Sequence, residues 1–199
     1  MINSVQKISV GIISFILSLS ALATTPIDVH KSSVEWLGTK VTGQHSGILE
    51  LKKGEITLEQ GKLQSGRFIL DMTSIKVLDI KDKKWNKKLE KHLKDEDFFG
   101  VDNYPVAIFE CTSPEPLKGE KKGEPNYRFN GDLTIKGITH ALAFDAVVDI
   151  KKTKARASGK ITVDRTKYGI RYKSGKFFEG LGDKAIHDEF VISFDVITK

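Results

Sequence analysis

Along most of this chain apolar and polar residues take turns, and the alternation is most regular between Tyr127 and Val148. Tyr127, Phe129, Leu133 and Ile135 alternate with Arg128, Asn130, Asp132 and Thr134, and after Lys136 and Gly137 the row resumes with Leu142, Phe144, Ala146 and Val148. Strand side chains point to opposite faces by turns, so this pattern predicts an antiparallel hairpin with one apolar and one wet face. The same spacing recurs at Val34 and Trp36, Leu49 and Leu51, Ile56 and Leu58, and Phe68, Leu70 and Met72. It returns at Ile161 and Val163 and at Ile192, Phe194 and Val196. Many such strands joined by glycine-containing turns predict an antiparallel sandwich or barrel. A parallel sheet would show near-continuous apolar runs instead. A closed barrel is expected because it leaves no sheet edge exposed.

One stretch breaks the period. Between Asp82 and Lys94, Trp85, Leu89 and Leu93 recur at spacing four, while Lys83, Lys84, Lys87, Lys88, Lys91 and Lys94 fill the remaining turns. This predicts a basic amphipathic helix. Two roles fit it: a cap on the barrel with a solvated lysine face, or a contact with an anionic membrane surface. Phe98 and Phe99 follow directly, and Tyr104-Pro105 opens a strand over residues 106–112. Proline is permitted at a strand's first residue. At a barrel mouth one of the two phenylalanines can plug the core while the other packs beneath the helix, so the segment is expected to act as a lid.

The first 23 residues are read as a leader. Lys7 supplies the positive region, residues 8–19 an apolar stretch diluted by Ser and Gly, and Ala21-Leu22-Ala23 an A-x-A cleavage site. The stretch is shorter than the roughly 20 residues needed to span a bilayer. Export is therefore expected, with a mature domain over 24–199, periplasmic where an outer membrane exists and secreted otherwise. The mature chain of about 176 residues is long enough for a substantial core. Lys7 is the only charged residue in the leader, so cleavage takes the formal charge from +6 to +5. That balance favours anionic surfaces. No nucleic-acid reading motif accompanies it.

Candidate chemistry is sparse. His30, His45, His92, His140 and His187 show none of the close spacings of a metal site, and no metal is expected. Cys111 shares a strand row with Ala107 and Phe109, which makes it a packing residue and not a nucleophile. There is no nucleophile elbow, phosphate-cradling glycine loop or metalloprotease motif. Asp95-Glu96-Asp97 lies in a charged loop, and residues 118–124 read as a solvated hairpin loop. A non-enzymatic protein is expected.

An ordered set of blocks carries a family resemblance: HKSSVEW (30–36), DMTSI (71–75), HLKDEDFFGVDNYPVAIF (92–109), GDLTIKGITH (131–140), VDRTKYGI (163–170) and HDEFVISFDV (187–196). Together they resemble the YceI family of exported lipid-binding proteins, from about Ile27 to Ile197. The resemblance implies an extended, lipocalin-like antiparallel β-barrel with one amphipathic helix near its mouth. It further implies a long cavity for an amphiphile such as a polyisoprenoid, an isoprenoid quinone or a fatty-acid derivative. Similar sequences often carry a second histidine in the first long strand, where this chain has Lys40.

The expected cavity lining is Trp36, Phe68, Leu70, Ile108, Phe129, Leu133, Phe144, Val148, Ile161, Ile192 and Phe194, with Phe98 and Phe99 at the mouth. Plain core packing is the competing role for each, because a small barrel can fill its own interior. Arg165, Tyr168 and Arg171 follow a strand end and could meet a headgroup or stabilise a turn. A ten-residue strand is roughly 33 Å long, and a tilt of about 40° leaves a barrel near 25 Å tall. Burying about 40 tail carbons at about 0.8 kcal/mol each would give roughly 30 kcal/mol. That exceeds the ceiling of about 18–21 kcal/mol for non-covalent complexes, so tail ordering and imperfect fit must offset part of it. The partner expected is thus a lipid, with a peripheral membrane-surface protein working through helix 82–94 as the alternative.

Overall fold

The computed structural model describes residues 23–118 and 121–199, and the expected leader lies outside these apart from Ala23. The strands are β1 (Ala23–Pro26), β2 (Ser33–Lys40), β3 (Gly43–Glu59), β4 (Lys62–Val77), β5 (Val106–Cys111), β6 (Glu115–Pro116), β7 (Tyr127–Ile135), β8 (Ile138–Lys151), β9 (Lys154–Asp164) and β10 (Ile186–Ile197). Helix α1 (Lys83–Lys94) joins β4 to β5. All pairings are antiparallel, in the ring β3-β2-β10-β9-β8-β7-β5-β4, and β4 pairs back onto β3 to close an eight-stranded barrel. Among the described residues β6 pairs only with β7. β1 pairs with the far half of β3, and Ile27 bridges Thr198, so β1 and β2 fill successive parts of one slot between β3 and β10.

The turns explain the register. Lys136 and Gly137 both take positive φ (51° and 71°), the geometry of a two-residue hairpin whose twist matches its strands. They fix Ile135 opposite Ile138 and Phe129 opposite Phe144. Inward aromatics take glycine as their direct cross-strand partner where a Cβ would crowd the ring. Trp36 faces Gly47, where a Cβ would stand 2.7 Å from the indole and 1.8 Å from the Lys76 carbonyl oxygen. Phe194 faces Gly159, where a Cβ would stand 3.0 Å from its ring.

Two expectations about orientation are corrected. Ile108 does not face the interior: on β5 the buried row is Ala107, Phe109 and Cys111, and Ile108 shares the outer row with Glu110. The other concerns α1, which buries no residue, and whose Trp85 is 56% exposed. Asn86 and Glu90 hold the helix to the barrel: Asn86 Nδ2 donates to the carbonyls of Val77 (2.8 Å) and Ile80 (3.1 Å), and Glu90 Oε1 accepts from the Val77 amide at 2.9 Å. At about 100° per residue these two share a side with Leu93, and Trp85 is left on the flank. Asp82 caps the helix by accepting from the amides of Lys84 and Trp85.

Candidate lipid-binding cavity

The barrel interior holds two apolar chambers stacked along its axis. Counting the space open to solvent at each, the upper has about 880 Å³ of empty space and the lower about 720 Å³. Leu70 of β4, Leu133 of β7, Val163 of β9 and Ile192 of β10 line both chambers and form a waist where they meet.

Aromatic rings dominate the lower chamber. Phe144 is the hub: it stacks on Phe129 (5.2 Å, 8° between planes), and Phe109 and Phe194 lie 5.3 and 5.7 Å from it. Phe68 and Ile161 complete the expected residues in this wall. The upper chamber is lined by Trp36, Phe98, Phe99 and Leu93, with Phe190 of β10 lying 6.3 Å from Phe99. Above it, His92, Phe98 and Tyr172 form a three-ring cluster with centroids 4.6–5.5 Å apart. The cluster ties the C-terminal turn of α1 to the long β9–β10 connection and closes the barrel end.

Polar atoms in the walls gather at one place. Thr39, Arg165, His187 and Glu189 all border the upper chamber, and His187 and Glu189 are exposed. They stand where a bulge in β10 spans Ile186 to Phe190 against only Lys40 to Gly38 of β2. Such bulges re-aim side chains at barrel rims. Thr39 Oγ1 and His187 Nδ1 share a hydrogen bond of 2.7 Å. The chamber therefore reaches solvent sideways, between the ends of β2 and β10.

The three expected headgroup residues separate. Arg165 is 4% exposed, and its guanidinium donates to the carbonyls of His187, Ile170 and Ile186, each at 3.0 Å. Burial pushes its pKa down, against the raising influence of Asp188 and Asp164. Asp188 Oδ1, which makes no hydrogen bond, lies 3.6 Å away. Tyr168 and Arg171 border neither chamber: Tyr168 packs edge-on against His140, and Arg171 lies over the Phe177 ring. Tyr168 and Arg171 are thus removed from the expected headgroup set, and of the three only Arg165 borders a chamber. Val148 is buried in the core but belongs to neither wall. Leu49, Met72, Val163, Val34 and Phe190 line chambers and sit on the alternating rows of the sequence, Phe190 two residues before Ile192, whereas the rim residues Thr39, His187 and Glu189 fall on outward-facing positions of their strands. Among the described residues no cluster of three or more His, Cys, Asp or Glu could hold a metal ion. Burial pushes the Cys111 thiol up, which disfavours the reactive thiolate.

The sequence profile of the YceI-like domain matches residues 26–198. A UPF0312 protein of Staphylococcus aureus is 35% identical over 94 residues, covering 44% of this chain and 49% of the relative. One of Photorhabdus laumondii is 29% identical over 106 residues, 53% of this chain and 52% of the relative. The matched stretches thus span about half the length of these curated relatives. Among solved structures, BcnA of Burkholderia cenocepacia superposes with a TM-score of 0.66 at 21% identity over 87% of this chain and 99% of its own. A polyisoprenoid binding domain from Saccharophagus degradans gives 0.62 at 13% identity over 90% and 99%. At these identities the likeness is one of fold.

Proposed function

Because this chain belongs to the YceI-like domain family, we propose that it is an exported, non-enzymatic carrier or store of an isoprenoid-like amphiphile. The observation that carries the reading is the pair of apolar chambers meeting at a waist, with polar atoms confined to one rim. A long tail would lie through both chambers while its head stays at the gap beside Thr39, His187 and Glu189. Apolar contact along the tail supplies the affinity and a few polar groups orient the head. Arg165 belongs to this rim, although three carbonyls already occupy its guanidinium. The polyisoprenoid binding of the Saccharophagus domain agrees with the ligand class; quinones and fatty-acid derivatives share the chemistry the chambers select. The leader read from residues 1–23 would deliver the protein to the periplasm. There the basic α1 would meet anionic headgroups when cargo is exchanged.

The test is native mass spectrometry, followed by solvent extraction, of protein produced with its leader. A bound amphiphile, released by extraction and replaced by an added isoprenoid quinone or polyprenol, is expected. A homogeneous empty species that takes up neither would sink the proposal.

A further inference from the structure

Large apolar side chains on the outside of the molecule are unevenly placed. Among the described residues those exposed are Val41, Leu78, Trp85, Tyr104, Ile138, Phe177 and Phe178, between 37% and 62% accessible. The barrel topology puts every one of them at the same end. Val41 is in the β2–β3 hairpin, Leu78 and Trp85 between β4 and the middle of α1, and Tyr104 just before β5. Ile138 opens β8, and Phe177 and Phe178 lie in the β9–β10 connection. This is also the end at which the upper chamber opens. Val41 donates its amide to the Ala185 carbonyl at 3.2 Å, beside the gap formed by Thr39 and His187. None of the exposed set belongs to the turns at the other end, β3–β4, β5–β7 and β8–β9, although those turns also carry lysines.

Charge at the mouth complements the apolar tips. The outer turns of α1 present Lys84, Lys87, Lys88 and Lys91, all exposed, and the helix's sole carboxylate, Glu90, is turned inward onto the Val77 amide. Lys88 Nζ lies 4.9 Å from the centre of the Trp85 ring and Arg171 lies 4.7 Å from that of Phe177. Trp85 and Phe177 so carry a cation beside them, the pairing of an interfacial anchor. Of the acidic residues in the turn that follows α1, Glu96 is held by Asn103 (2.7 Å) and Lys136 (3.8 Å).

We infer that the mouth end docks onto an anionic phospholipid surface, with Trp85, Phe177 and Phe178 inserted at headgroup depth and the α1 lysines on the phosphates, so that the gap between β2 and β10 faces the membrane. The inference rests on the carrier reading for its purpose, and it explains why a molecule that could hide its apolar side chains leaves them around the opening. Cargo then enters or leaves without its tail crossing water.

Vesicle sedimentation with phosphatidylglycerol–phosphatidylethanolamine and with phosphatidylcholine alone tests it. Wild-type protein is expected to bind only the first, with Trp85 emission moving to the blue, and each lysine neutralised among Lys84, Lys87, Lys88 and Lys91 should weaken binding about fivefold. Phe177→Ser with Phe178→Ser, both about half exposed, should slow transfer of a fluorescent polyprenol between vesicles about tenfold, while the amount held in solution at equilibrium stays the same. Captured lipid without vesicle binding would overturn the docking surface and spare the carrier reading. Vesicle binding by a protein that captures no lipid would do the reverse. A concentration-dependent dimer abolished by the two Ser substitutions would assign the face to a second copy of the chain and overturn the inference.

Discussion

Asp164 shows how one side chain at the end of a strand can set the shape of the rim. Its carboxylate accepts from the Thr166 amide (2.9 Å) and hydroxyl (2.6 Å), starting the 3-10 turn that aims Arg165 inward, and it also accepts from Lys176 Nζ at 3.2 Å. Burial acts to raise its pKa, but the hydrogen bonds from Thr166 and the charge of Lys176 outweigh it and hold the group below its ordinary value of 3.8. Asp79 is held down in the same direction: burial opposes, and the Ser46 amide and His45 ring prevail. A carboxylate with a depressed folded pKa contributes stability above its unfolded value and loses it as pH falls through the folded one. Thermal unfolding should therefore be insensitive to these groups from neutrality down to about pH 4.5 and fall steeply below about pH 3.8. Asp164→Asn keeps the cap and loses the charge. It should cost about 1 kcal/mol at neutral pH, a modest figure because Lys176 is largely exposed, and it should flatten the acid limb. An acid limb unchanged in this variant would show that other groups carry the pH dependence.

Helix α1 makes a sharper point about elements, since its amphipathic pattern is plain in the sequence and its docking is not. The spacing of Trp85, Leu89 and Leu93 gives the helix and its bounds, yet Asn86 and Glu90 attach it through the backbone of Val77. Removing both, as Asn86→Ala with Glu90→Ala, leaves the buried Val77 amide without its acceptor, a cost of about 1–3 kcal/mol. Hydrogen exchange should quicken at Val77 and across 83–94 while the β8–β9 ladder stays protected. Trp85→Ala, touching an exposed side chain, should change neither. Equal exchange in all three proteins would remove these hydrogen bonds as the attachment. Strands were legible to the same depth: the hairpin, its turn and most buried rows follow from period two. On β5 both rows are apolar, Val106 and Ile108 against Ala107, Phe109 and Cys111, so hydrophobicity could not choose between them; pairing with β4 and β7 does. On β10 the period runs on through Phe190, in step with Ile192, and puts the exposed His187 and Glu189 on the outer row; that these outward residues border the chamber follows from the bulge, which period two does not show. After Asp164 the chain turns into a 3-10 helix, and Tyr168 and Arg171 leave the strand's face.

At the scale of the whole molecule the decisive matter is whether the two chambers act as one tunnel. The twelve residues of β10 extend about 40 Å and, tilted by about 40°, give an axial height of roughly 30 Å. That matches an extended tail only if it passes the waist of Leu70, Leu133, Val163 and Ile192. Val163 is 3% exposed and belongs to both walls, so Val163→Phe should plug the passage at an overpacking cost of about 1–3 kcal/mol. A tail that reaches the lower chamber buries about ten additional carbons, each worth about 0.8 kcal/mol before ordering is subtracted. The plug thus removes several kcal/mol from long-tailed ligands and almost nothing from short ones. Mass spectra of extracts from this variant should show bound tails shortened or lost, while a short-chain quinone analogue binds within about twofold of wild type, since the substitution touches the upper chamber only at its floor and leaves its rim intact. The analogue also serves as the control for folding. If the variant binds the analogue and still captures full-length tails, the lower chamber is packing space, and the ligand folds back on itself within the upper one.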